Sequence, residues 1–342
     1  MIISKTPFRI SFFGGGTDYP AWYSENPGAV LATTINKYCY ISCRYLPPFF
    51  DHKYRIVYSK VETVKEKSEI LHPVIRAAID LMGVKEGLEI HHDGDLPART
   101  GLGSSSSFSV GMLHALYALK GIMPTRQKLA LDAIHLERNI LQENVGCQDQ
   151  VLAAIGGFNK IEFNNDTTYR ASPITINPLR AQELSSHLMF FYTGISRYAS
   201  EIAKKKIENI PNRKKQLTTM YHMVDEAISI LNSDKISIDK FGQLLDESWR
   251  LKRELSDNIT NPHIDEIYEA GRSAGAIGGK ILGAGGGGFM ILFAKPEDQP
   301  AIRKRLSNLL YVPFEFEHTG SQIVLFNMHD APSTIEPWNK SA

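Results

Sequence analysis

Residues 96–111, LPARTGLGSSSSFSVG, set two glycines and four consecutive serines ahead of a run of apolar and small residues. Glycine removes the side chain that would hold a ligand away from the backbone, and serine adds hydroxyls without bulk. Such a loop brings peptide N–H groups against an anion, with phosphate the obvious one. Phe108, Met112, Ala115, Leu116 and Leu119 follow at helical spacing. The loop therefore empties into a helix N-terminus, where unpaired amides and the helix dipole favour negative charge. A serine-rich linker shares the composition, but linkers are not normally flanked by a strand-like stretch, here GLEIHHD at 87–93, and an amphipathic helix.

Two other stretches are equally bare, FFGGGTDYP at 12–20 and KILGAGGGGFMILF at 280–293. Each consecutive glycine adds to the entropy lost on folding, so such runs point to backbone crowding or ligand approach rather than to a simple turn. Gly283 to Gly288 fits G-x-G-x-x-G, yet it leads into the strand-like FMILF instead of a helix. That speaks against a dinucleotide fold and an NAD-dependent oxidoreductase. The nearest approach to a P-loop, GAIGGKI, is one residue short and has Ile281 where a metal-binding hydroxyl belongs.

The elements that must hold these loops alternate in type. Short β-branched and aromatic runs in the first half (FRISFFG, AVLATTI, YCYISCRY, YRIVYS) interleave with helical patterns near 71–82, 105–120 and 125–142. After GGFNKIEF, SPITINP and LMFFYTG, a polar helical region runs from about 197 to 274, broken at Pro211, near Ser233 and at Pro262. Strands near 279–283 and 288–294, a helix near 297–310, and strands near 313–317 and 321–327 close the chain. The pattern is α+β, with a boundary near 180–187.

The length of 342 residues allows two substantial cores, and 43% hydrophobic content suits ordinary folding. Lys+Arg 38 against Asp+Glu 37 gives a net charge of +1. The basic clusters Lys204 to Lys206 and Arg213 to Lys215 sit on helix-like polar faces, so neither nucleic acid nor membrane is expected as a partner. Cys39, Cys43 and Cys147 cannot all pair, no Cys/His cluster has zinc spacing, and the N-terminus lacks a signal-peptide pattern, which points to the cytoplasm.

In order and spacing, the three loops resemble the motifs of the GHMP kinase superfamily, named for galactokinase, homoserine kinase, mevalonate kinase and phosphomevalonate kinase. The first motif is matched by Pro7, Arg9 and GGGTD ending at Asp18; the second by Pro97, Gly101, Leu102, Gly103, Ser104 and Ser105; the third by LGAGGGG. ENVGCQDQ is similar to the segment carrying the superfamily's catalytic aspartate, here Asp149. Galactokinases have Glu-His where this chain has Gly15-Gly16. GGGTD, GLGSSSS, GCQDQ and TGISR are instead most similar to bacterial kinases of D-glycero-D-manno-heptose 7-phosphate, with the kinase half of bifunctional fucokinases next. Both groups act on an anomeric hydroxyl.

The resemblance implies an α+β two-domain fold, with a ribosomal protein S5 domain 2-like unit at 1–185, a ferredoxin-like unit at 186–342, and ATP and sugar in the cleft between them. It implies ATP as donor and Mg²⁺ as its companion, a sugar phosphate as partner, and a possible homodimer. Backbone amides from Gly101 to Ser107, including Ser106, would cradle phosphates, and Ser105 with Glu137 would hold the metal. Glu137 lies on the 125–142 helical run and is otherwise an exposed glutamate paired with a neighbouring cation. Asp149 would face the attacking hydroxyl beside Arg9, or else cap a helix. Asp18 would grip sugar hydroxyls, with Gly15, Gly16, Thr17, Gly285 and Gly286 lining the substrate, or else form an Asx-turn. For a terminal phosphate on the substrate Arg197 is the candidate grip, with Arg44, His52, Lys53 and Arg55 as alternatives. His91 and His92, on an alternating strand, read as structural.

Overall fold

Ile2–Phe13 form strand β1, buried along nearly its whole length because structure covers both of its faces. The computed structural model describes residues 1–47, 49–165, 168–196 and 199–327. In chain order come α1 (Pro20–Tyr23), β2 (Gly28–Tyr45), β3 (Tyr54–Val57), β4 (Val61–Val64), α2 (Pro73–Met82), β5 (Leu88–Gly94), α3 (Ser104–Leu119), α4 (Arg126–Ile134), α5 (Gln148–Ile155), β6 (Phe158–Phe163), β7 (Tyr169–Pro173), α6 (Pro178–Ser186) and β8 (Leu188–Tyr192). The helices α7 (Ala199–Asn209), α8 (Lys214–Leu231), α9 (Asp239–Glu254) and α10 (Pro262–Ser273) follow. Then come β9 (Gly278–Ile281), β10 (Phe289–Phe293), α11 (Gln299–Arg305), β11 (Leu310–Tyr311), β12 (Phe316–Glu317) and β13 (Gln322–Phe326).

These elements build two sheets. The larger runs β13-β1-β2-β5-β3-β4, with β6 and β12 paired to β2 and β7 paired to β6, and the smaller is an antiparallel β11-β8-β10-β9. The fold is thus the expected α+β arrangement, but the division at 185/186 needs one correction. β12 pairs with β2 and β13 with β1, so the chain returns to the first sheet after crossing the second. Without β13 the buried β1 would be an open edge, and edge strands need cover.

Two local features of the first sheet set the aim of Arg9 and the seat of α3. The β1–β2 register jumps between Pro7 and Phe8, from Tyr38 to Ile35. Pro7 has no amide to give the ladder, and such an irregularity bends the strand and re-aims the next side chains, Arg9 among them. Behind β1 lies α3, and Gly111 allows the close approach, since a Cβ there would stand 2.9 Å from the Thr6 hydroxyl. The expected amphipathic character of α3 is not seen. It is buried on almost every face from Ser106 to Leu119, and Ser106, Ser107, His114 and Tyr117 bond to protein partners.

The second sheet reaches the first through α8 and α9. Phe241 of α9 sits edge-on to Phe12 and Phe13 (centroids 5.5 and 5.1 Å) and touches Phe293 of β10 at 6.2 Å. Lys280 of β9 crosses the same boundary, its ammonium donating to the Phe12 carbonyl at 2.7 Å. Buried aromatic area and a desolvated cross-sheet hydrogen bond make this seam a packed core. Among the described residues no helix is long and apolar enough to cross a membrane, and the three cysteines are free and buried.

Candidate active site

The three glycine loops meet where β1, α3 and α5 converge. A Cβ on Gly283 would lie 2.4 Å from the Gly101 Cα, and one on Gly101 would lie 2.5 Å from the Leu282 carbonyl, so the second and third loops touch backbone to backbone. Both glycines hold left-handed φ, +80° and +69°, which other residues adopt at a cost. Gly103, at φ +73°, opens α3 as its N-cap. The first helical bond runs from the Ser107 amide to the Gly103 carbonyl at 2.8 Å, and no side chain caps the turn before it. Among the described residues the amides of Ser104, Ser105 and Ser106 thus have no protein acceptor, which is the arrangement that binds an anion at a sixteen-residue helix.

Facing this turn is a half-buried ion pair. Arg9 donates from Nε and Nη2 to the two carboxylate oxygens of Asp149, each at 2.7 Å, and from Nη1 to the Gly101 carbonyl at 2.7 Å. A Cβ on Gly103 would come within 3.3 Å of both Arg9 and the Asp149 carboxylate, so a side chain there would press on the pair. Asp149 lies in the first turn of α5 without capping it, which removes the helix-cap alternative. Its side chain is 22% exposed against 5% for Arg9. The carboxylate therefore presents its remaining lone pairs to the open side while Arg9 fixes it from behind.

Asp18 is placed differently from the expectation that it grips sugar. One carboxylate oxygen accepts from the Gly16 amide at 2.9 Å and the other from the Gln148 amide at 2.9 Å, and the residue is 2% exposed. The turn reading is the one the geometry fits: Asp18 folds the first loop and docks it on the start of α5, where its carbonyl accepts from the Cys147 amide. Gly146 must be glycine for this, since a Cβ would fall 1.9 Å from Asp18 Oδ2. Thr17 is likewise spent, its hydroxyl bonding the Gly14 and Ala29 carbonyls. Gly15 keeps room around it, with only the Ser11 hydroxyl near a would-be Cβ.

Glu137 is fully buried in a π-helical turn, His135–Ile140, that continues α4, so the exposed-glutamate alternative falls. Such turns often mark functional positions. Its Oε2 accepts from the Ser106 hydroxyl at 2.9 Å and from Gln150, while Oε1 has no partner. Burial pushes its carboxyl up to about 7, opposed by the serine hydroxyls and the Gln150 amide beside it. The serine that reaches Glu137 is thus Ser106. Ser105, one residue on around the helix, is exposed. Ser107 turns inward to the Pro7 carbonyl, and Ser104 accepts from the Arg99 amide.

Other expected contacts separate from the site. Gly285 and Gly286 pack on Ile259, whose carbonyl accepts the Gly286 amide at 2.9 Å, so their bareness serves backbone crowding. Pro97 anchors the loop through its carbonyl, which accepts from Thr100, and Leu102 is core. Arg44 and Arg55 both pair with Glu89. Arg9 is level with Thr34 on β2, ten residues from Arg44 and so roughly 30 Å along the strand. His52 and Lys53 lie toward that same far end. Arg197 lies outside the described residues. His91 contacts Glu89 and His92 packs edge-on to Phe108, as structural residues do.

Among the described residues three buried lysines were missed by sequence reasoning. Lys280 and Lys252 bind backbone carbonyls, the latter those of Ile281 and Gly283 beneath the third loop. Lys206, assigned from sequence to a polar face, is 5% exposed and lies beneath the first loop. The signal that could have found it is its spacing, four residues from both Ile202 and Ile210 on an apolar stripe.

Comparison with known proteins agrees with this geometry. Residues 68–157 match the GHMP kinases N terminal domain and residues 229–312 the GHMP kinases C terminal domain. The chain is 30% identical over 318 residues to a D-glycero-alpha-D-manno-heptose 7-phosphate kinase of Campylobacter jejuni, covering 89% of this chain and 93% of that one. It is 24% identical to the bifunctional fucokinase/GDP-fucose pyrophosphorylase of Arabidopsis thaliana over 94% of this chain and 32% of that one. The crystal structure of a D-glycero-D-manno-heptose 1-phosphate kinase from Bacteroides thetaiotaomicron superposes with a TM-score of 0.79 at 22% identity, covering 96% of this chain and 100% of that one. With both domain matches and a 30% identical relative covered over nearly its whole length, the chain belongs to the GHMP kinase family, and the protein is an ATP-dependent sugar kinase.

Proposed function

We propose that the protein transfers the γ-phosphoryl group of ATP to the anomeric C1 hydroxyl of D-glycero-D-manno-heptose 7-phosphate, giving the 1,7-bisphosphate. This reading places the enzyme in nucleotide-activated heptose synthesis for surface polysaccharide, within the cytoplasm. The observation that carries the chemistry is the Arg9–Asp149 pair beside the loop that begins α3, with Arg9 also donating to the Gly101 carbonyl at 2.7 Å. The sugar is supported by the Campylobacter relative and by the GGGTD first loop, which lacks the galactokinase Glu-His.

Phosphoryl transfer asks for in-line placement of two oxygens and for stabilisation of charge on the moving group. The free amides of Ser104 to Ser106 would receive phosphate oxygens of the nucleotide. Asp149, oriented by Arg9, would accept a hydrogen bond from the C1 hydroxyl and take its proton as the bond to phosphorus forms. The carboxylate of Glu137, with its buried unpartnered oxygen, fits a Mg²⁺ ligand. Among the described residues no three acidic, histidine or cysteine side chains cluster to hold a metal. Glu137 would hold the ion together with Ser106, whose hydroxyl already reaches that carboxylate, rather than with the expected Ser105, and when bound the ion would neutralise phosphate charge.

A panel of heptoses and hexoses, with and without a terminal phosphate, tests the assignment by ADP release and ³¹P NMR of the product. The expected result is preferential turnover of the heptose 7-phosphate with a new phosphorus signal at C1. Preference for an unphosphorylated sugar, or phosphorylation at another carbon, would overturn it.

A further inference from the structure

Among the described residues four cations gather beneath the glycine loops, Arg9, Lys206, Lys252 and Lys280, against the carboxylates of Asp18 and Asp149. Three of the four have hydrogen-bond acceptors: Arg9 has Asp149 and Gly101, Lys252 the Ile281 and Gly283 carbonyls, and Lys280 the Phe12 carbonyl. Lys206 has none among the described residues. Its ammonium stands 4.7 Å over the Tyr19 ring and 3.5 Å from where a Cβ of Gly16 would be. Asp18 and Asp149 attract it, but neither comes within ion-pair distance. Their own oxygens are already engaged by Gly16, Gln148 and Arg9.

Burying an ammonium without a hydrogen-bond or ion-pair partner costs several kcal/mol, of which a cation–π contact such as that with Tyr19 returns only a part. The apolar stripe of α7 would be better served by leucine at this position if only packing mattered. The charge is therefore poised for an anion that this chain does not itself contain. The position of that anion is bounded by the first loop, Tyr19 and Asp149, the same side of the site to which Asp149 presents its free lone pairs. The second loop has no lysine of its own, so among the described residues the loop offers the moving group amides rather than an ammonium.

On the kinase reading of this site, we propose that Lys206 is a further catalytic residue: its ammonium binds a non-bridging oxygen of the phosphoryl group as it passes from nucleotide to sugar. It plays the part that a loop lysine plays in P-loop enzymes, delivered here by a helix of the second half of the chain.

Lys206→Met tests this, since it removes the charge and keeps an unbranched apolar stem. The melting temperature is expected to stay level or rise, because an unpaired buried charge is lost. One charged hydrogen bond to the γ-phosphate is worth about tenfold or more in affinity, so binding of AMPPNP should weaken by about that factor while ADP binding is unchanged. Turnover should fall about a hundredfold with acceptor KM nearly constant, and Lys206→Arg should restore part of it. Equal loss of AMPPNP and ADP binding, or a lowered melting temperature with activity otherwise intact, would overturn the proposal. So would a KM increase confined to phosphorylated sugars, which would make Lys206 a grip for the acceptor's own phosphate. Should the wild-type enzyme turn over no sugar in the panel, the substrate reading fails by itself, and the AMPPNP–ADP comparison still decides Lys206.

Discussion

Replacing Asp149 with asparagine keeps the side-chain shape and removes its charge. In the native site both carboxylate oxygens accept from Arg9 at 2.7 Å. Asparagine can accept one of these bonds, and its amide nitrogen meets the other guanidinium N–H donor to donor. One charge-assisted bond is lost, about 1.5–3 kcal/mol. Arg9 keeps the Gly101 carbonyl, and Asp149 is partly open to water, so the folded state should lose about 2 kcal/mol rather than the larger penalty of a sealed pair. Catalysis should suffer more. Loss of a positioned proton acceptor costs about 10²–10⁴ in rate, equivalent to about 3–5 kcal/mol at the transition state. Steady-state ADP release gives turnover, a melting curve gives folding, and titration with ADP gives the nucleotide site, expected to be nearly unaffected because the loop amides remain. Turnover within about tenfold of wild type would refute the assigned role. A fall in turnover matched by an equal fall in nucleotide affinity would show instead that the pair merely braces the loop.

Gly103→Ala should cost about 1–2 kcal/mol from its left-handed backbone and lower turnover about tenfold, because its Cβ would press on Asp149 and Arg9; melting and rate measurements check this, and an unchanged rate would contradict the close approach. Glu137→Gln should leave the melting temperature level or higher, since a fully buried carboxyl is neutralised, while Mg²⁺-dependent turnover falls; turnover that is unaffected at limiting Mg²⁺ would remove Glu137 from the metal. Burial lowers His72 and His114 from 6.5 to about 4. Their folded-state values lie below the unfolded ones, so stability is fully present above pH 6.5, declines as pH falls and levels off below about 4. Each shift corresponds to at most about 3 kcal/mol. Denaturant melts at pH 7 and 5 read the loss, and His114→Gln should flatten the slope.

Much of this protein is written locally. Glycines and serines in succession allow few backbones, so the three sparse loops and the helix that opens after Gly103 were legible from residue type alone, and the breaks at Pro211 and Pro262 fall where short segments meet. Asp149 and Arg9 could be nominated by motif, but their distance could not, because 140 residues separate them and only the docking of α5 against β1 joins them. Choices that depend on which face a side chain turns inward were decided by packing. Ser106 rather than Ser105 meets Glu137, Asp18 is consumed by its own turn, and Lys206 lies beneath the first loop although lysines beside it face water. The return of β12 and β13 to the first sheet was equally invisible, since a short strand carries no mark of its partner. Periodicity and turn chemistry act over a few residues and can be read in order. Burial, pairing and local charge excess arise from segments far apart in the chain, and they come into being only when the chain closes on itself.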